Sequence, residues 1–174
     1  LVKEQIIPSG HDRDNYIVER INCESDDGYL VPMTITRHKK TKLDGNANIL
    51  LYGYGSYGMS MSPSFSSTRL SLINRNIIWV TCHVRGGLEK GMAHWKKGKM
   101  LNKKNTFKDF ISCAKYLIEK KYTSEKKIIA YGGSAGGLLV GNVVNEIPHL
   151  LLGAILAVPF VDNLTTNMDH SLPL

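Results

Sequence analysis

Ile128-Ile129-Ala130-Tyr131-Gly132-Gly133-Ser134-Ala135-Gly136-Gly137-Leu138-Leu139-Val140 is the stretch on which the reading of this chain turns. An apolar run reads as a buried strand, and the apolar stretch from Leu138 to Val144 reads as a helix. Gly132-Gly133-Ser134-Ala135-Gly136 lies between them as a strand-to-helix turn. The pattern G-x-S-x-G is weak alone, because three fixed positions in five recur by chance. Strand before and helix after turn it into a mechanism. A serine at such an apex is held in a strained backbone conformation that lifts its Oγ clear of the sheet edge. Gly132 and Gly136 flank the apex where a Cβ would collide with the adjoining strand or helix. The helix then aims its free N–H groups, with the positive end of its dipole, at the place where an oxyanion would form. Ser134 is therefore the candidate nucleophile and the Ala135 N–H a candidate oxyanion donor. The bland alternative is a tight strand-to-helix connection with no chemistry.

Working outward, further buried strands are expected at Asn48–Tyr54, Ile77–Val84 and Leu152–Val158, each a nearly continuous apolar run. Helices are expected at about 65–74, at Thr106–Lys121 and at Ala135–Asn145. The second of these rests on Phe107, Phe110, Ile111, Ala114, Leu117 and Ile118, with Asp109 on its polar face. Before them, Tyr16–Asn22 and Tyr29–His38 alternate around the turn Asp26-Asp27-Gly28, which predicts a hairpin with Val31, Met33 and Ile35 on one face. Strands alternating with helices specify an α/β domain with a mostly parallel sheet and right-handed crossovers. Residues 1–16 read as an incoming linker, 88–105 as loop, and no repeat is visible.

With 43% hydrophobic and 21% charged residues the composition is that of a folded globular chain, which excludes disorder and fibrous classes. No apolar segment approaches the length of a membrane span and no secretory signal is visible, so the expectation is a cytoplasmic protein with no membrane partner. The net charge of +7 invites a nucleic-acid partner. However, the lysines gather where elements begin or end and no aromatics interleave with them, so a solvated surface is expected instead. Cys23, Cys82 and Cys113 lack metal-type spacing; Cys82 and Cys113 read as buried thiols, and neither metal nor cofactor is expected.

Acyl chemistry at Ser134 needs a second oxyanion donor, a base and an acid. Tyr54, in the glycine-rich loop Gly53-Tyr54-Gly55-Ser56-Tyr57-Gly58, could supply a phenolic hydroxyl; spacing alone leaves it equally a packing residue. The 40 residues after Ser134 look too few to supply the acid and the base. Asp162 followed by His170 has the right order, but eight residues cannot hold the strand and helix that separate those two loops. His11, His38, His83 and His94 precede the serine and read as surface or loop residues.

The segments Tyr52–Gly58, Ser67-Thr68-Arg69-Leu70, Val84-Arg85-Gly86-Gly87, Lys104–Phe110, Tyr122-Thr123-Ser124 and Gly132–Leu139 together resemble the prolyl oligopeptidase family of serine peptidases. Val158–Asp162 and Leu164-Thr165-Thr166 point within it to the oligopeptidase B branch. The resemblance spans nearly the whole chain. It implies an α/β-hydrolase catalytic domain, capped in the family by a β-propeller, that acts on short peptides after Arg or Lys. It makes Ser134 the nucleophile, with the Ala135 N–H and the Tyr54 hydroxyl as the oxyanion hole. On this reading residues 1–16 are a linker from a propeller and 17–174 the amino-terminal part of the catalytic domain. The resemblance implies that the family's aspartate, histidine and P1-reading acids come later than Leu174, in following sequence or on a complementing chain. Ser62 and Ser64 stand where the branch carries a second acidic pair, so the family's preference for basic residues is not carried by these positions.

Overall fold

The computed structural model describes residues 2–3, 6–8 and 10–172. Six strands form one sheet in the order β1-β2-β4-β3-β5-β6. β1 (Tyr16–Glu24), β2 (Leu30–His38) and β4 (Ile78–Cys82) pair antiparallel, while β4, β3 (Ile49–Tyr52), β5 (Ile128–Gly133) and β6 (Leu151–Ala157) run parallel. The expected hairpin closes through Ser25 and Tyr29, with Gly28 at φ +78°. β1 begins at Tyr16, one residue inside the stretch read as linker, after a 3-10 turn at Arg13–Asn15.

The pleat sends alternate side chains to opposite faces, and these apolar runs serve both. Ile49, Leu51, Ile78, Val80, Ile128 and Ala130 enter the main core, and Leu50 and Trp79 enter a smaller one. Val31, Met33 and Ile35 join the main core as expected, all fully buried. Against it pack α3 (Lys104–Glu119) and α4 (Ala135–Glu146), through Phe110, Cys113, Ala114 and Leu117 and through Leu139, Val140 and Val143. Each of the larger of these side chains, Phe, Leu or Val, stabilises the fold by roughly 1.5–3 kcal/mol when removed from water. α1 (Ser67–Ile73) covers part of the other face; its N-cap Ser66 accepts the Arg69 N–H, and Ile73 packs with Leu50 and Trp79.

Two expectations fail here for a physical reason. The stretch read as loop contains a short helix, α2 (Met92–Lys96), and another, α5 (Asn163–Met168), follows β6 with the Asp162 carboxylate capping its start. The buried stripe of α3 is also rotated from the purely apolar one: Asp109 is fully buried rather than on the polar face, while Phe107, Ile111 and Ile118 are half-buried. The rotation follows from polar partners. Asp109 accepts from the Arg85 backbone N–H (2.9 Å), its Nε (2.9 Å) and its Nη2 (2.6 Å), and the Thr106 hydroxyl donates to the Arg85 carbonyl (2.7 Å).

Candidate active site

Where β5 ends, Ser134 adopts φ +53° and ψ −117°, and α4 begins at the next residue. A side chain at positive φ costs of order 1–3 kcal/mol and persists only where its surroundings impose it. They do so here through the backbone. The Ser134 N–H donates to the Ala157 carbonyl (2.9 Å), and the Ser134 carbonyl accepts from Gly137 N–H (2.9 Å) and Phe160 N–H (3.0 Å). The peptide is fixed on both sides while the residue itself remains exposed.

The glycines explain how close the turn can be. A Cβ on Gly132 would run into the Gly136 carbonyl oxygen, and one on Gly136 would lie 2.6 Å from the Gly53 carbonyl oxygen. Gly137, which the five-residue pattern does not contain, is equally constrained: its Cβ would lie 2.5 Å from the Pro159 Cα. Bare backbone at 136 thus brings the start of α4 against the loop that follows β3. There the Gly136 Cβ position is 3.3 Å from the Tyr54 Cα and 3.4 Å from its Cδ2, which sets the half-buried Tyr54 beside the elbow. The Gly53 N–H donates to the Tyr131 carbonyl (3.2 Å), extending the β3–β5 pairing to the edge of this loop. As the first residue of α4, Ala135 has no intrahelical acceptor for its N–H. The exposed hydroxyl of Ser134, the free N–H of Ala135 and the ring of Tyr54 therefore converge at the carboxyl end of the parallel strands. That arrangement can present a serine hydroxyl beside the free N–H of a helix start, with Tyr54 packed against the same turn.

The histidines lie elsewhere. His149 sits beyond the far end of α4, about 18 Å from Ser134 by helical rise over twelve residues. His83 and His94, read as surface or loop residues, are buried: His83 bonds to the Thr34 hydroxyl (2.8 Å) and His94 to the Tyr29 hydroxyl (2.9 Å), with Glu89 between them. Asp162 is occupied as the cap of α5, Asp169 accepts from Ser171, and His170 is exposed. Among the described residues, then, nothing is hydrogen-bonded to Ser134 as a base. Ser62 and Ser64 are exposed on the loop before α1. Ser62 lines a cavity of about 670 Å³ with Tyr52, Trp79 and Tyr131, whereas Ser64 lines a separate one with Tyr16 and Phe65. No group of His, Cys, Asp or Glu among the described residues is arranged to hold a metal ion, and no helix is long and apolar enough to cross a membrane.

A sequence model of the prolyl oligopeptidase family matches residues 63–174. The chain belongs to the prolyl oligopeptidase family. It is 43% identical over 174 residues to a dipeptidyl aminopeptidase BI of Pseudoxanthomonas mexicana, covering 99% of this chain and 24% of that protein. To protease 2 of Moraxella lacunata it is 47% identical over 164 residues, covering 94% of this chain and 24% of that protein. A solved structure of oligopeptidase B from Leishmania major superposes with a TM-score of 0.95 at 42% identity, over 99% of this chain and 24% of that one. The chain thus spans about a quarter of the length of the curated relatives it matches. The mixed sheet with helices on both faces is shared with solved structures of the family, as the motifs implied. The family match starts after Tyr54, but the similarity to oligopeptidase B extends through the glycine-rich loop.

Proposed function

We propose that this chain is the nucleophile-bearing part of a serine peptidase catalytic domain acting on short peptides. In it Ser134 attacks the scissile carbonyl, and the Ala135 N–H and the Tyr54 hydroxyl receive the oxyanion. The observation that supports this most directly is Ser134 itself: an exposed hydroxyl at φ +53°, on a backbone fixed from both sides, next to an unpaired helix-start N–H. Such donors act because they are oriented before charge develops, so no reorganisation is needed as the tetrahedral intermediate forms. Attack also transfers the serine proton to a base, and the base needs a carboxylate to hold its tautomer. In this reading both come from sequence following Leu174 or from a separate chain seated against β6, whose Leu152 and Ile155 are 56% and 45% exposed. Preference for Arg or Lys at the cleaved bond follows from the oligopeptidase B branch and would be read by acids supplied with that same segment, since Ser62 and Ser64 carry no charge.

Labelling with a serine-directed fluorophosphonate tests the nucleophile. Slow modification of the wild-type chain that disappears in Ser134→Ala is expected, and equal modification of both would overturn the assignment. Turnover of an Arg-containing ester should stay orders of magnitude below that of an intact peptidase, because loss of the general base removes most of the rate while the hole leaves a residue of it.

A further inference from the structure

Besides its backbone bonds to Tyr131 and Gly86, the glycine-rich loop is held by a side chain from 48 residues further on. The Lys103 ammonium donates to the Gly55 carbonyl (2.5 Å) and to the Ser56 hydroxyl (2.7 Å). Gly55 directly follows Tyr54 and sits at φ +69°, where a Cβ would strike Thr106 and Val84. Its carbonyl is packed on the other side against Gly86, whose own Cβ would run into that oxygen. The Gly55–Ser56 peptide is therefore gripped between a cation and a bare glycine.

Lys103 is unusual in its surroundings. It stands just before α3, at the positive end of the helix dipole, and is half-buried. No carboxylate among the described residues offsets its charge, and burial alone lowers its amine to about 8. A lysine that served only solubility would project into water, as long cationic side chains readily do. This one is turned inward onto two neutral acceptors of a single loop, and Lys104, its neighbour, is exposed and lines a groove between α3 and α4.

We propose that Lys103 is the positioning residue of the oxyanion hole: its ammonium fixes the Gly55–Ser56 peptide and thereby aims the Tyr54 hydroxyl at the elbow. The inference rests on the reading of Tyr54 as an oxyanion donor, and it adds a residue that touches neither substrate nor the reacting atoms. The consequence is that the hole depends on a side chain distant in sequence from both of its donors, so the start of α3 and the β3 loop act as one unit.

The test uses the 174-residue chain labelled with ¹³C-tyrosine, the Tyr54 ring signals being identified by their loss in Tyr54→Phe. Lys103→Met should shift and broaden those signals. Lys103→Arg, which keeps a donor of fixed charge, should return most of the shift, and Lys104→Met should leave them in place. Fluorophosphonate labelling of Ser134 should fall by roughly tenfold in Lys103→Met, since displacement of a catalytic group by about 1 Å costs up to 10² in rate. Unmoved Tyr54 signals in Lys103→Met, or a shift that Arg does not reverse, overturn the proposal. If Lys103→Met loses its cooperative thermal transition, Ser56→Ala decides, because it removes one acceptor from an exterior loop. It must displace the Tyr54 signals in the same direction by less, and unmoved signals sink the idea. Wild-type protein that is labelled no faster than Ser134→Ala refutes the nucleophile reading, yet the tyrosine spectra still decide the role of Lys103.

Discussion

β4 and β6 are short apolar strands in the parallel half of one sheet, and by composition they are alike. All five residues of β4 are buried, whereas four of the seven in β6 are exposed. The difference lies in their neighbours. β4 has β2 on one side and β3 on the other, with α3 and α1 over its faces; β6 pairs with β5 alone among the described residues. An apolar run records a preference for burial, and only the surrounding chain shows whether that preference is met. The two strands differ in polar organisation too. Just past β4, Arg85 binds Asp109 of α3 and Asp27 of the hairpin (2.6 Å) and stacks on Tyr29 with 4.6 Å between guanidinium and ring centroid. The β6 end carries no ion pair of this kind among the described residues.

The largest effect is therefore expected at that clamp. Asp109→Ala leaves the Arg85 guanidinium, 2% exposed, with only the half-exposed Asp27 as a charged partner. Breaking a buried pair by removing one member costs about 3–5 kcal/mol. Urea unfolding should show a loss of that size, and a variant as stable as wild type would mean that the β4 end is not held through this pair.

A direct test of the strand comparison comes next. Ile78→Ala, in fully buried β4, should cost about 2–5 kcal/mol, by lost transfer energy plus the cavity left behind. Ile155→Ala on β6 should cost less than ~1 kcal/mol, since nearly half of that side chain already meets water. Equal losses would show that β6 is covered in solution, by a second copy or by a partner. Ile155→Lys sharpens the point: sedimentation velocity should show less self-association than in wild type, as expected when a charge is placed on an apolar edge strand.

Much of this was legible in the residues. The elbow, the strands at 48–54, 77–84 and 127–131 and the two long helices could be placed because buried parallel strands read as unbroken apolar runs and helices as three-four spacing. Tyr54 could be named but not placed, because its approach to the elbow depends on Gly136 lacking a Cβ, a long-range contact with no local signal. Asp109 was misassigned to a wet face, and the burial of His83 and His94, read as surface or loop residues, went unseen, for a shared reason. Polar residues are read as exposed unless a partner is known, and their partners, Arg85, Thr34 and Tyr29, lie 24 to 65 positions away. Helix α2 escaped because five residues are too few to show a period, and Gly91 before it supplies no capping side chain.

The smallest expected effect concerns acid, and it also separates the surroundings of β4 from those of β6. Burial lowers His94 below 6.5, against the opposing pull of Glu89 and Asp109. The folded chain therefore binds a proton at His94 less readily than the unfolded chain does. Between pH 6.5 and the lower folded value the unfolded state holds more protons, so stability is complete above about pH 6.5 and declines as pH falls through this window. A second window follows. Burial pushes the Glu89 carboxyl up, but His83 and the Met61 N–H outweigh it and hold it below 4.5, so its contribution is lost only as pH drops beneath that value. In His94→Asn, whose amide can keep the bond to the Tyr29 hydroxyl, the decline between pH 6.5 and 5 should flatten while the one below 4.5 persists. Urea midpoints measured every half unit of pH would show it. An unchanged slope in His94→Asn would move the acid sensitivity away from the β4 end and toward the exposed carboxylates that surround the rest of the sheet.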